Sequence, residues 1–290
     1  MQIQADDIDT APEHYRLPVG RVSIADLAAC AEFLSARAVM ILGHPGHCLR
    51  AFGWMREARP LCQILTDGSG LTASARIESS RRTMESVGAS PGALFGRFSD
   101  RRIYSAILNS EHSLFIDLAN ELADVLVKER VDYVVGDAAE GIESTHDVMR
   151  LVIDSAVRKA EARSSREIPQ YDFVLDGPPD VCPPHLIDHS TILTLTDEAL
   201  ESKLAAAANY PELADEVERA LNYYGRDAFR IECLRPVFGA GKTGVSPGSS
   251  CDTPYYETYA ETQVKAGRFA CAIRYDRHIA PLEAALQQNG

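Results

Sequence analysis

An α/β fold, with a doubly wound and mostly parallel sheet covered by helices on both faces, is what this sequence predicts. Three observations predict it. Apolar runs of strand length alternate with segments of helical period along most of the chain. The clearest runs are continuous rather than alternating, as in strands buried on both faces. The first three of them end in polar turn sequences: Gly43-His44-Pro45-Gly46-His47, Asp67-Gly68-Ser69-Gly70 and Asp137 to Asp147.

Residues 1–20 are polar and read as an N-terminal arm, and 21–290 as one α/β domain. Ser23 suits the cap of a helix over 24–36. Ala38 to Gly43 is the first buried strand. Pro45 suits the first position of a helix, and Leu49, Phe52 and Met55 give 47–58 a helical period. Pro60 to Thr66 is the second strand. A charged helix over 75–87 carries Arg76, Glu78, Arg81 and Arg82, and Gly88 stops it. Pro91 to Asp100 reads as loop or short strand. Leu114, Phe115, Leu118, Leu122, Val125 and Leu126 make Glu111 to Lys128 an amphipathic helix.

Val131 to Gly136 is the next buried strand. Ser144 and Asp147 have capping-box-like spacing for a helix beginning near His146, with Asp in place of the usual Glu or Gln. Tyr171 to Leu175 is a strand, followed by the Pro-rich loop 177–184. A strand at Ile192 to Leu195 leads into a helix capped by Thr196 or Asp197, and a second helix follows Pro211. Phe229 to Leu234 reads as a late strand. The Gly, Ser and Pro content of 239–254 predicts a mobile loop. A helix over 255–266, a strand at Phe269 to Tyr275 and a short terminal helix complete the chain.

Bulk properties narrow the function. The 290 residues are 46% hydrophobic and carry a net charge of −13, from 42 acidic and 29 basic side chains. That length supports a substantial core. The acidic balance argues against a general nucleic-acid or anionic-membrane binder. The expected partner is a small molecule, and a homo-oligomer is compatible with the composition. Seven scattered cysteines with no C-x-x-C pair point to reduced thiols and a cytoplasmic setting. Met1 to Arg16 is polar, unlike a secretory signal, and no apolar run reaches the roughly 20 residues that span a bilayer.

The chemistry gathers at the strand ends. If the first strand is central, His44, His47 and His146 lie on loops flanking the point where strand order reverses. Three histidines there make a candidate zinc site, or a site for another divalent transition metal, with a position left open. Asp67, Ser69, Arg76 and Asp100 lie on loops or helix starts at the same edge, and Arg76 offers a planar fork to a substrate oxygen.

These residues follow an order that resembles the PIG-L/LmbE-type deacetylases. Where that family has A-H-P-D-D-E after its first strand, this chain has Gly43-His44-Pro45-Gly46-His47-Cys48. Thr66-Asp67-Gly68 matches its T-D-G segment, Arg76 through Gly88 its Arg-bearing helix ending in L-G, and Asp100 its loop aspartate. Glu143-Ser144-Thr145-His146 stands at its H-P-D-H motif, and Lys203 where a helix lysine is often found. The resemblance covers about residues 36–235 and rests on order and spacing. It implies a Rossmann-like zinc amidohydrolase of N-acetyl sugars or related amides. It carries the metal ligands over as His44, His47 and His146, with histidine for the family's aspartate at position 47.

Two departures bear on mechanism. The family's general base falls on Gly46, which has no side chain, and its oxyanion-stabilising histidine falls on Glu143. Asp67, Asp137, Glu143 and Asp147 are the candidates for a relocated base, and Glu143 is the expected one. The sequence thus predicts a metal-dependent hydrolase of an N-acylated sugar or small amide metabolite. Altered chemistry on the same scaffold, or a binding protein that keeps the pocket without turnover, are the alternatives. Gly239 to Thr243 mimics a phosphate loop but has Pro236 where a glycine is required. His185 and His189 follow two prolines and read as loop residues.

Overall fold

The computed structural model describes residues 27–70, 75–238 and 253–289. The expected arm, the Ser23 cap, the segment Gly239 to Thr243 and nearly all of the expected 239–254 loop lie outside the described residues.

The strands are β1 (Ala38–Leu42), β2 (Leu61–Thr66), β3 (Ser90–Phe98), β4 (Tyr133–Asp137), β5 (Gln170–Phe173), β6 (Thr191–Thr194) and β7 (Ile231–Pro236). They form one sheet in the order β3-β2-β1-β4-β5-β7-β6. The five strands from β3 to β5 are parallel, and β7 runs antiparallel to both β5 and β6. The helices are α1 (Leu27–Ser35), α2 (Phe52–Ala58), α3 (Ile77–Ser86), α4 (Asp100–Leu108), α5 (His112–Lys128), α6 (Ser144–Ser164), α7 (Asp197–Ala208), α8 (Ala214–Tyr224), α9 (Tyr255–Lys265) and α10 (Ala280–Gln288). The architecture is the mostly parallel, Rossmann-like α/β sheet that the sequence predicts.

β1 is central because it is apolar on both faces. Met40, Ile41 and Leu42 have no exposed surface. Val39 and Ile41 pack with α5, α6 and α10, whereas Met40 and Leu42 pack with Trp54 and Met55 of α2 and Met84 of α3. Alternate side chains therefore anchor the two helical layers. The chain moves outward from β1 to β2 and β3 on one side, then returns to β4 on the other. Val39 faces Leu61 and Val134 in parallel register. The loops after β1 and β4 thus diverge from neighbouring strand ends at the reversal of strand order, the place where such sheets open a crevice.

Several elements differ from expectation. Pro91 to Asp100 holds a nine-residue strand, β3, at the sheet edge. Its pairing with β2 is interrupted by register shifts, and an edge tolerates the missing donor of Pro91. Ser99 caps α4 by accepting from the Arg102 backbone N–H, which starts a helix the sequence reading had not placed. The expected helix over 47–58 divides into a single 3-10 turn (His47–Leu49) and α2, so Pro45 precedes the turn instead of opening a helix. Phe269 to Tyr275 is not a strand; irregular chain leads into a π-helical turn at Tyr275–Ile279. The segment pairs with no strand of the sheet, and the Tyr275 N–H donates to Glu257 Oε1.

Cys48, Cys62, Cys182, Cys233 and Cys271 are free thiols, as the spacing suggested. Among the described residues no helix is long and apolar enough to cross a membrane.

Candidate metal centre

The loop after β1 turns sharply at Gly46, whose φ of 99° lies in the left-handed region. Its N–H donates to Ser80 Oγ (2.9 Å). A β-carbon at Gly46 would stand 2.5 Å from Cδ1 of Leu213. The position where the resembled family keeps its base is therefore covered by an apolar side chain.

The turn presents His44, which is 9% exposed. Its Nδ1 lies 2.8 Å from Thr66 Oγ1 and 3.1 Å from Asp100 Oδ1. The Thr66 hydroxyl donates to Gly43 O, so it accepts from His44. Both contacts therefore place the His44 proton on Nδ1 and turn Nε2 inward, 3.6 Å from Glu143 Oε2. Across the reversal, Glu143 caps α6, its Oε2 accepting from the N–H groups of Thr145 and His146. The cap is thus Glu143 in place of the expected Ser144–Asp147 box. Asp147 Oδ1 instead accepts from Glu140 N–H and Gly141 N–H and closes the loop ahead of the helix. His146, in the first turn of α6, places Nε2 3.8 Å from Glu143 Oε2. The Tyr104 hydroxyl of α4 donates to the other Glu143 oxygen.

His44, Glu143 and His146 offer donor atoms that all lie within 4.8 Å of one another. Glu140, His146 and Asp176 form a second such group, sharing His146. His47 is in neither group, although its ring centroid lies 4.7 Å from that of His146 and 5.4 Å from that of His44. Its Nδ1 is held 3.0 Å from both oxygens of Asp137. Asp137 has no exposed surface and also accepts from Gly43 N–H at 2.6 Å. The carboxylate thereby holds the ring by Nδ1 and leaves Nε2 as its second nitrogen at the cavity.

The donors suit a divalent metal. Two imidazoles and a carboxylate make a set that leaves room for water or substrate. His146 Nδ1 is buried without a hydrogen-bond partner. Burial and the neighbouring His47 charge lower the His146 pKa to about 3, so the ring is neutral, as a ligand must be. Burial opposes charge on His44, but the Asp100 and Glu143 carboxylates outweigh it and push its pKa up to about 9. Without a cation His44 carries a proton at neutral pH; a metal ion would replace that positive charge against the same carboxylates. Burial resists ionisation of Asp100 and Glu143 as well, yet the facing histidines hold both far below the ordinary carboxylate range.

These shifts set a pH dependence for the metal-free protein. Burial raises Asp147 from 3.8 to about 7; burial and the Asp176 charge raise Glu140 from 4.5 to about 8. A group whose pKa is raised by folding stabilises below its unfolded pKa and loses that contribution as pH rises through the folded one. For His44 the loss spans 6.5 to about 9. For Asp147 the loss is nearly complete by pH 7, whereas for Glu140 it continues to about pH 8, so the His44 and Glu140 slopes run downward above pH 6.5. Asp100 and Glu143, depressed by folding, lose their contribution on the acid side, below about pH 4. The Tm of chelator-treated protein is therefore expected to fall steadily between pH 6.5 and 9, and Glu140→Gln to flatten the decline up to about pH 8. A Tm that holds or climbs over that range contradicts the assignment.

His44, His47, Glu143, His146, Arg76, Asp100 and Tyr104 line one cavity of ≈ 400 Å³. Arg76 reaches it with Nε donating to Gly68 O (2.7 Å), so its guanidinium is braced by the turn and not by Glu78. Asp67 and Ser69 do not line the cavity. Asp67 Oδ1 accepts from Ser69 N–H and shapes the turn that brings Gly70 to Asp100. Asp137 lies behind His47. The sequence reading missed Tyr104, because α4 was not placed, and it missed the Glu140–Asp176 pair, which no motif marks.

No family model matches the chain, and no curated protein matches it. Solved structures do. A triple mutant of a deacetylase of the teicoplanin biosynthetic pathway is 14% identical, with a TM-score of 0.47, over 71% of this chain and 100% of that one. The zinc-inhibited form of teicoplanin deacetylase gives the same figures. An antimicrobial pseudoaglycone deacetylase is 16% identical, with a TM-score of 0.47, over 70% of this chain and 98% of that one.

Proposed function

We propose that this protein is a metal-dependent amidohydrolase, removing the acyl group of an N-acylated sugar or a small amide metabolite. The observation that carries the proposal is the donor set of two imidazoles and a carboxylate, His44, Glu143 and His146, at the floor of a cavity where strand order reverses. The order of motifs along the sequence supports it. The donors, the cavity and its walls belong to one sheet and its helices, which also supports reading 21–290 as one domain.

Zinc held by these residues supplies Lewis acidity to the substrate carbonyl and makes a nearby water more acidic. The remaining work falls to the chain. His47, held by Asp137 through Nδ1, presents Nε2 as the proton acceptor that Gly46 cannot be. After attack on the carbonyl carbon, the same ring returns the proton to the departing amine nitrogen as the C–N bond breaks. Asp100 and Thr66 orient His44, and Tyr104 orients Glu143. Arg76 faces the cavity as a donor to a sugar or carboxylate oxygen of the substrate. The alternative assignment keeps His47 as a metal ligand and Glu143 as base, and the 4.7–5.4 Å spacing of the three rings favours it.

Zinc content and amine release from N-acyl glucosamines separate these roles. His47→Gln is expected to retain zinc and lose about 10²–10⁴-fold in turnover, while Glu143→Gln loses zinc. The reverse pattern makes His47 the ligand and Glu143 the base. Stoichiometric zinc without amine release from any acyl glucosamine or simple amide leaves a binding protein, and failure to retain a metal sinks the proposal.

A further inference from the structure

Helix α8 has the sequence of an amphipathic helix but buries none of its residues. Leu213, just before it, and Val217, Ala220, Leu221 and Tyr224 recur at the spacing of one helical face. All five line the cavity that holds His44, Glu143 and His146. The helix therefore turns its apolar face towards the reaction site and not towards the core. From the adjoining helix, Leu204 and Ala207 line the same space.

The roof is fixed in place. The Tyr210 hydroxyl donates to Arg76 O (3.0 Å) and contacts Ser80 Oγ (2.9 Å), while Ser79 Oγ donates to Glu212. These contacts tie the turn ahead of α8 to α3 and press Leu213 over Gly46. Exposed Glu216 and Arg219 stand at the rim. The result is a polar floor beneath an apolar roof, enclosing ≈ 400 Å³. That volume lies within the range of pockets for ligands well beyond acetamide in size. An apolar surface lining such a cavity gains by excluding water onto an apolar ligand.

We infer that the α8 wall binds an aliphatic acyl group longer than acetyl, so that the preferred substrates are medium-chain N-acyl amines and not N-acetyl compounds. This rests on the amidohydrolase reading for its chemistry but not for its binding. Isothermal titration with N-octanoylglucosamine and N-acetylglucosamine tests it, on chelator-treated and on zinc-supplemented protein. The octanoyl compound is expected to bind at least about tenfold tighter in both, since six added methylenes leave water. Val217→Asp and, independently, Leu221→Asp should bring the ratio close to one, and Val217→Leu should preserve it. A ratio near one in the parent protein, or one that survives both aspartates, overturns the inference. So does a stable dimer whose interface excludes the probe from α8. If zinc is not retained but the ratio persists in chelated protein, the amidohydrolase reading falls and the acyl site stands.

Discussion

Replacing His146 by alanine is expected to abolish retention of stoichiometric zinc. His146 is the one residue common to both donor groups, and it is 7% exposed. Loss of residues that merely orient a ligand weakens metal binding about 10–100-fold, so loss of a ligand itself should exceed 100-fold. Asp100→Asn, which acts through His44, falls within the smaller range. His185→Ala is the control, because His185 is exposed and lies after the Pro183-Pro184 turn, away from the cavity. Metal analysis after gel filtration in zinc-free buffer reads all three. Zinc held equally by His146→Ala and the parent protein removes the site from these residues.

The second large effect lies in the core. Glu232→Ala is expected to destabilise the protein by about 3–5 kcal/mol, lowering Tm by about 2–4 °C for each kcal/mol. Glu232 and Lys203 are 2% and 3% exposed and paired at 2.8 Å. The same carboxylate accepts from the N–H groups of Gly53 and Trp54, both at 2.8 Å. It therefore caps α2, whose own N-cap position, Ala51, has no side-chain acceptor. Alanine would strand a buried ammonium and two backbone donors at once. Burial already lowers the Lys203 pKa, so part of the penalty is relieved by loss of its proton. The double variant Glu232→Leu with Lys203→Met should recover much of the loss, because no buried charge is left alone. Urea unfolding of the three variants checks this; a cost below about 1 kcal/mol for Glu232→Ala would mean that the pair behaves as a surface ion pair.

The sequence by itself determined the central strands of the sheet and the loops that carry the candidate donors. The run Ala38 to Leu42 is apolar at every position, and such a run is stable only when buried on both faces, so its central place followed from composition alone. Turn residues after β1 and β4 marked the loops that carry His44, His47 and His146, and the structure brings those rings into one cavity. Period and caps did the same for α5 and α7, down to Thr196 accepting from Ala199 N–H. Local signals of this kind are set by neighbours a few residues apart, so they survive in the sequence.

What only the tertiary structure decided depends on partners far along the chain. Phe269 to Tyr275 has strand-like residues but pairs with no strand; its Tyr275 N–H is taken by the Glu257 carboxylate instead. The cap of α2 comes from Glu232, 179 residues away, and no local motif announces it. The surroundings of Glu143 depend on its distance to His44 and on the Tyr104 hydroxyl, which comes from a helix the sequence reading did not place. Asp67 and Arg76 look alike as candidates in sequence, yet a turn hydrogen bond takes Asp67 off the cavity while another braces Arg76 on it. The absent side chain at Gly46 reads as a lost base in sequence. In space it is a close approach of Leu213, because a helix more than 160 residues later lays its apolar face over the site.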